Sequence, residues 1–181
     1  MPGQGAPRKK GALGEAEATG RNPTDRGKSG TKRHVLTEGR GVPTALLISG
    51  ANRTDMKKLA ELLDAVVVAR PPQVDADAAA EHLCLDRGYD YDACREAASA
   101  RGYVVHIPPK ASAAQPLPAP GDPERHPPRR WVVEVAHSWF NRFRRLLIRW
   151  EKQAANYLAL VQLAACLIVY RKLRHGRLLS G

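Results

Sequence analysis

Asp86 and Glu134 are the residues of this sequence best placed to do chemistry. Asp86 closes the apolar run His82-Leu83-Cys84-Leu85, and Glu134 follows Arg130 by one helical turn in a stretch crowded with arginine. Carboxylates are the ligands that hard divalent ions take. A pair of such ions can activate an attacking oxygen and stabilise a leaving one. Two acids converging among this many arginines therefore suit a Mg²⁺ or Mn²⁺ site working on phosphodiesters. Each acid also has a plainer reading. Arg130 and Glu134 fit an exposed ion pair on a solvated helix face, which contributes little stability. Asp86 fits a strand-end residue capping the turn at Arg87-Gly88-Tyr89-Asp90.

The spacing around Glu134 predicts a long helix. Val132, Val135, Trp139, Phe143, Leu146 and Trp150 recur at three- and four-residue steps, the core stripe of an amphipathic helix. Trp131 is expected to be buried with them. Arg130, Glu134, Ser138, Asn141, Arg145 and Arg149 form a stripe on the other side, with Pro127 and Pro128 marking where the helix begins. Asp86 belongs to a strand over 82–86. A helix over 91–101, closed by Gly102, leads to a second strand over 103–107. That order makes a β-α-β unit with parallel strands and a right-handed crossover. Ligands of open α/β sheets sit at the carboxyl ends of such strands. Both carboxylates are thus expected to face one cleft, with Arg130 at its rim.

Upstream, residues 31–37 and 42–49 read as an antiparallel hairpin, with Pro43 near the start of its strand. A helix follows from Thr54 or Asp55 to about Val67, with Met56, Leu59, Leu62, Leu63 and Val66 inward. The run over 156–170 is apolar nearly all round. It is short for a bilayer and closely flanked by charge, so a buried helix is expected. The chain has 181 residues, 43% of them hydrophobic, and a formal net charge of +11. That charge calls for a polyanionic partner, nucleic acid or an anionic membrane surface. The membrane alternative is the weaker one, because the core needs the apolar face of the basic helix. Cys84, Cys94 and Cys166 show no CxxC spacing and read as reduced thiols of a cytosolic protein. The opening residues are polar and carry no secretory pattern.

Four motifs in register carry a resemblance: Asn-Pro-Thr-Asp-Arg-Gly-Lys at 22–28, Ser-Gly-Ala-Asn-Arg-Thr-Asp at 49–55, Cys-Leu-Asp-Arg-Gly-Tyr-Asp at 84–90, and Arg-Trp-Val-Val-Glu at 130–134 followed by Trp139 and Arg144-Arg145-Leu146. The sequence resembles the transposases of bacterial insertion sequences, in the DDE group whose catalytic helix carries an Arg-x-x-x-Glu signature. The likeness covers roughly residues 18–175. It implies a ribonuclease-H-like α/β fold, in which the hairpin and the parallel β-α-β pair share one mixed sheet with helices C-terminal to it. It also implies metal-dependent cleavage and joining of double-stranded DNA at insertion-sequence ends. By that resemblance Asp86 is the second acid of the triad and Glu134 the third, both metal ligands, with Arg130, Asn141, Arg142, Arg145 and Arg149 toward DNA. Asp25 and Asp55 match family positions and are assigned no catalytic role.

The sequence departs from the family pattern in three places. The signature lysine or arginine seven residues after the glutamate falls on Asn141, with Arg142 and Arg145 the candidates to replace it. The signature tyrosine falls on Pro127. The first acid, expected as Asp-Gly at the end of the first central strand, finds no match in residues 1–19. The expected organisation is a flexible basic segment over 1–30, a catalytic domain over 31–175 lacking that strand and containing a proline-rich loop over 110–128, and a tail over 176–181. Two functions follow: one part of a transposase, completed by an upstream half or a second copy, or a catalytically dead DNA-binding remnant of a decayed transposase. Either acts in the bacterial cytoplasm, at the nucleoid when bound to DNA. The unfused chain is expected neither to nick nor to join DNA.

Overall fold

The structure, a computed structural model, describes residues 18–23, 26–68, 81–108 and 130–174, and the backbone alone of Arg130. The expectations for Asp25, Pro127, the 110–128 loop, the 176–181 tail and the side chain of Arg130 lie outside the described residues.

Period-two alternation builds the hairpin. Strand β1 (Gly20–Arg21) pairs antiparallel with the start of β2 (Ser29–Thr37), and β2 pairs antiparallel with β3 (Pro43–Gly50). Pro43 takes the first position of β3, where its missing N–H costs least. In the connecting turn the Glu38 carboxylate accepts from the Arg40 and Val42 amides at 2.8 and 2.9 Å. Gly41 supplies the left-handed φ of 87° that the turn needs. Val35, Leu46 and Ile48 point to one face of the hairpin and Leu36 to the other.

A single 3₁₀ turn (Asp55–Lys58) leads into α1 (Leu59–Asp64), whose Leu59, Leu62 and Leu63 are buried. Strand β4 (Glu81–Cys84), α2 (Asp92–Ser99) and β5 (Tyr103–His106) form the expected parallel β-α-β unit, in register from Glu81↔Tyr103 to Cys84↔His106. Among the described residues the hairpin and the parallel pair do not join in one mixed sheet. The order β1-β2-β3 makes one sheet and β4-β5 another. They share an apolar layer, in which Leu36 of β2 packs against the cluster that Leu83 of β4 forms with α1 and α2 residues. Away from β3, only Ser29 and Gly30 of β2 have strand partners among the described residues. Within the segment expected to be loose through residue 30, Ala18 is buried and residues 20–21 and 29–30 are strand.

The long helix is broken in two. Helix α3 (Arg130–Asn141) tightens at its end, where the Arg142 amide donates to Trp139 O and the Phe143 amide to Phe140 O. Phe143 is extended, and the four-residue α4 (Arg144–Leu147) follows. The buried line of α3 is Val132, Ala136 and Phe140, with Val135, Trp139 and Phe143 half-buried beside it. Trp131 and Trp150, expected inside, are 59% and 67% exposed. Trp131 lies about 100° round the helix from Val132, and Trp150 lies past the break, where α3 no longer sets its phase. Helix α5 (Ala154–Arg174) runs beyond the expected 156–170 and by length and composition is long enough to cross a bilayer. Its Tyr157, Val161, Ala164, Ala165 and Ile168 are nevertheless buried in the core with Phe140 and Leu146. The rest is not fully buried as expected, since Leu163, Leu167 and Tyr170 are exposed. Trp139 is where the layers meet: Lys172 Nζ lies 4.0 Å from its ring centroid, and Gly41 packs against its edge.

Candidate functional site

Asp86 lies just past the carboxyl end of β4, and the Leu85 amide still donates to His106 O before the chain turns away. Asp86 is exposed and caps the 3₁₀ turn Arg87–Tyr89, its Oδ1 accepting from the Gly88 amide at 2.8 Å. The turn-cap reading therefore holds for one carboxylate oxygen. Gly88 is required for this approach, because a Cβ there would sit 2.8 Å from Asp86 Oδ1.

The Asp55–Lys58 turn packs against the Asp86 turn. Asp55 closes a polar chain through the hairpin. Its Oδ1 pairs with His34 Nδ1 and with Lys32 Nζ, each at 3.2 Å. On the far side of the same imidazole, His34 Nε2 is 2.7 Å from Ser49 Oγ. His34 and Ser49 are 5% and 1% exposed, so this Ser-His-Asp arrangement is a buried brace with no accessible nucleophile. The His34 hydrogen bond, opposed by burial and aided by Lys32, holds the Asp55 carboxyl below the ordinary carboxylate range. Burial pushes the Tyr89 hydroxyl far up, and the charges of Asp55 and Asp86 add to the shift. On α3, burial lowers the His137 imidazole, with Arg33 and His34 adding to the effect and Asp55 opposing it. The field of Asp55 thus reaches both the Asp86 turn and the catalytic-candidate helix.

Glu134 is exposed on α3, which packs on β2. Asn141 is fixed to β2, its Oδ1 accepting from Arg33 Nη2 at 2.7 Å. Arg142 is exposed, and Arg145 is exposed while pairing with Glu151 at 2.8 Å. Arg149 is half-buried, and its guanidinium donates to Ala18 O, Thr31 Oγ1 and Glu151 O. It staples the chain's first described residues to β2. Among the described residues no group of three or more His, Cys, Asp or Glu side chains could hold a metal ion. Asp86 and Glu134 with their described neighbours do not by themselves fit a divalent-ion site.

The sequence reading missed the Asp55–His34–Ser49 brace. Its signal was a histidine at an inward position of β2, alternating with Leu36, where the pattern calls for an apolar residue.

The family model described as "Transposase DDE domain" matches residues 2–169. A protein of Burkholderia cepacia named "Putative transposase for insertion sequence element IS402" is 36% identical over 158 residues, covering 87% of this chain and 71% of its own length. No solved structure matches the chain.

Proposed function

Because this chain belongs to the transposase family built on the DDE domain, we propose that, once completed by a strand carrying the first acid, it cleaves and joins DNA at the ends of an insertion sequence, with Asp86 and Glu134 as two of the acids. One observation carries the reading: an exposed acid ends a strand of a parallel pair, and an exposed acid stands on the helix that packs on the neighbouring hairpin. Gly88 aims Asp86, while the Arg33–Asn141 bond and the Phe140 anchor hold α3 on β2. Arg130, Asn141, Arg142 and Arg145 face the phosphate backbone in this reading, and Arg149 keeps a structural role beside any DNA contact. Arginine suits phosphate because its planar fork donates two parallel bonds.

The ribonuclease-H-like arrangement follows if one more strand lies between β2 and β4. It would pair with both outer edges, merge the two sheets over their shared apolar layer and bring the missing first acid beside Asp86. Divalent ions, the family's general cofactor, would then have a full set of carboxylates, with Mg²⁺ or Mn²⁺ the expected metal. The second reading, a DNA-binding remnant, draws on the lack of a three-acid group among the described residues.

The test is mobilisation in cells of a selectable marker flanked by ends of the IS402 type. We expect movement when the chain is preceded by a strand ending in Asp-Gly, and none once Asp86→Asn is introduced. DNA binding without movement in every arrangement would establish the remnant reading instead.

A further inference from the structure

His82 on β4 and His106 on β5 point to the same side of the two-stranded sheet. The strands alternate, so Leu83, Tyr103 and Val105 enter the core under α2. His82, Cys84, Val104 and His106 take the opposite face, where His82 and Cys84 are exposed and Val104 is 41% exposed. Cys84 lies directly opposite His106 in the ladder, and His82 lies one pleat away. The imidazole rings lie edge to edge and nearly coplanar, with centroids 4.9 Å apart and planes 15° from parallel. His82 Nδ1 and His106 Nε2 stand 2.6 Å apart.

We propose that this pair is a two-imidazole site for a first-row transition ion of the Zn²⁺, Ni²⁺ or Cu²⁺ class. Neutral imidazole suits these ions, whereas Mg²⁺ and Ca²⁺ prefer oxygen ligands. The site is therefore separate in chemistry from any carboxylate site at Asp86, and it does not rest on the transposase reading. Zn–N bonds of about 2.0–2.1 Å at roughly tetrahedral to square angles need nitrogens about 2.8–3.4 Å apart. Turning the two rings on this exposed face, so that both nitrogens aim at one point outside the sheet, supplies that spacing. In the ion-free pair one ring donates its N–H to the other. Binding uses the lone pairs of His82 Nδ1 and His106 Nε2. The donating ring therefore moves its proton to its far nitrogen through solvent, and two neutral rings release no net proton. Because no third His, Cys, Asp or Glu joins the group among the described residues, water completes the coordination. The ion is exchangeable and clips β4 to β5.

The test is Zn²⁺ titration of the full chain in competition with a chromophoric chelator, repeated on His82→Ala, His106→Ala and Cys84→Ser. We expect each histidine variant to lose at least tenfold in affinity and Cys84→Ser to change by less than twofold. His82→Gln, which keeps a polar side chain on this face, should lose as much as His82→Ala. A thermal melt adds a second readout: Zn²⁺ should raise Tm of the parent and leave Tm of His106→Ala unmoved. Unchanged affinity in the histidine variants, a Cys84→Ser loss equal to theirs, or no saturable binding by the parent would each overturn the proposal.

Discussion

Three residues around the site turn its electrostatics into measurable behaviour. Burial keeps the folded His137 below its ordinary pKa, so the unfolded chain takes up a proton that the folded chain refuses. Stability should therefore fall as pH drops below the usual imidazole range, near 6.5. The urea midpoint should be lower at pH 5.5 than at pH 7.5, and His137→Gln should flatten that slope. Asp55 behaves in the opposite sense. Its depressed carboxyl contributes stability that is present above about pH 4 and lost as pH falls through its folded value. Asp55→Asn should remove that part of the acid transition. Gly88→Ala should break the Asp86 cap and displace its carboxylate, lowering cleavage by the extended chain with little change in the denaturant midpoint. Asp86 and Glu134 are candidates that residue type and context alone suggest. The His34–Ser49 contact could not be read in that way, because it joins β2 to β3 across a register that only the folded hairpin sets.

At the level of elements, the sequence reading chose the right helix for the core and Trp139 packs against it, but Trp131 and Trp150 stay outside and Phe140 is the buried anchor. Phe140 is fully buried among α5 side chains, so Phe140→Ala should destabilise the protein by about 3–5 kcal/mol, read as a shift in denaturant midpoint. Trp131→Ala should change stability by only about 0.5 kcal/mol, as expected for an exposed position. Equal effects from the two would mean that the buried line of α3 is misassigned. The β-α-β unit and the hairpin were legible because strand alternation and Gly102 are local signals. The break after Asn141 was not, because no proline or glycine marks it; it comes from tightened i→i−3 bonds at the helix end. The exposed stripe of α5 was hidden for a related reason. An all-round apolar helix gives no phase from which to read its buried side.

The whole molecule carries a net charge of +11, and the substrate of the transposase family, DNA, is a dense polyanion. Duplex binding should weaken steeply with salt, since each neutralised phosphate adds about −0.9 to the slope of log K against log salt. Arg142→Ala with Arg145→Ala should flatten that slope, whereas flat binding by the parent would remove the phosphate contacts from the account. The separation of the two sheets was partly legible, because the sequence offered no match for the strand expected between them. Their common apolar layer was not, since Leu36 and Leu83 are remote in the chain and belong to one cluster only once α1 and α2 are in place.

Strand cleavage of an end-labelled insertion-sequence terminus, in Mg²⁺ or Mn²⁺, tests the central claim most directly. Four proteins are compared: the chain, the chain preceded by a strand ending in Asp-Gly, and that extended chain carrying Asp86→Asn or Glu134→Gln. We predict cutting by the extended chain alone, with both variants folded, still bound to DNA and inactive. Cutting that survives in both variants would contradict the assignment of Asp86 and Glu134 as the acids of this site.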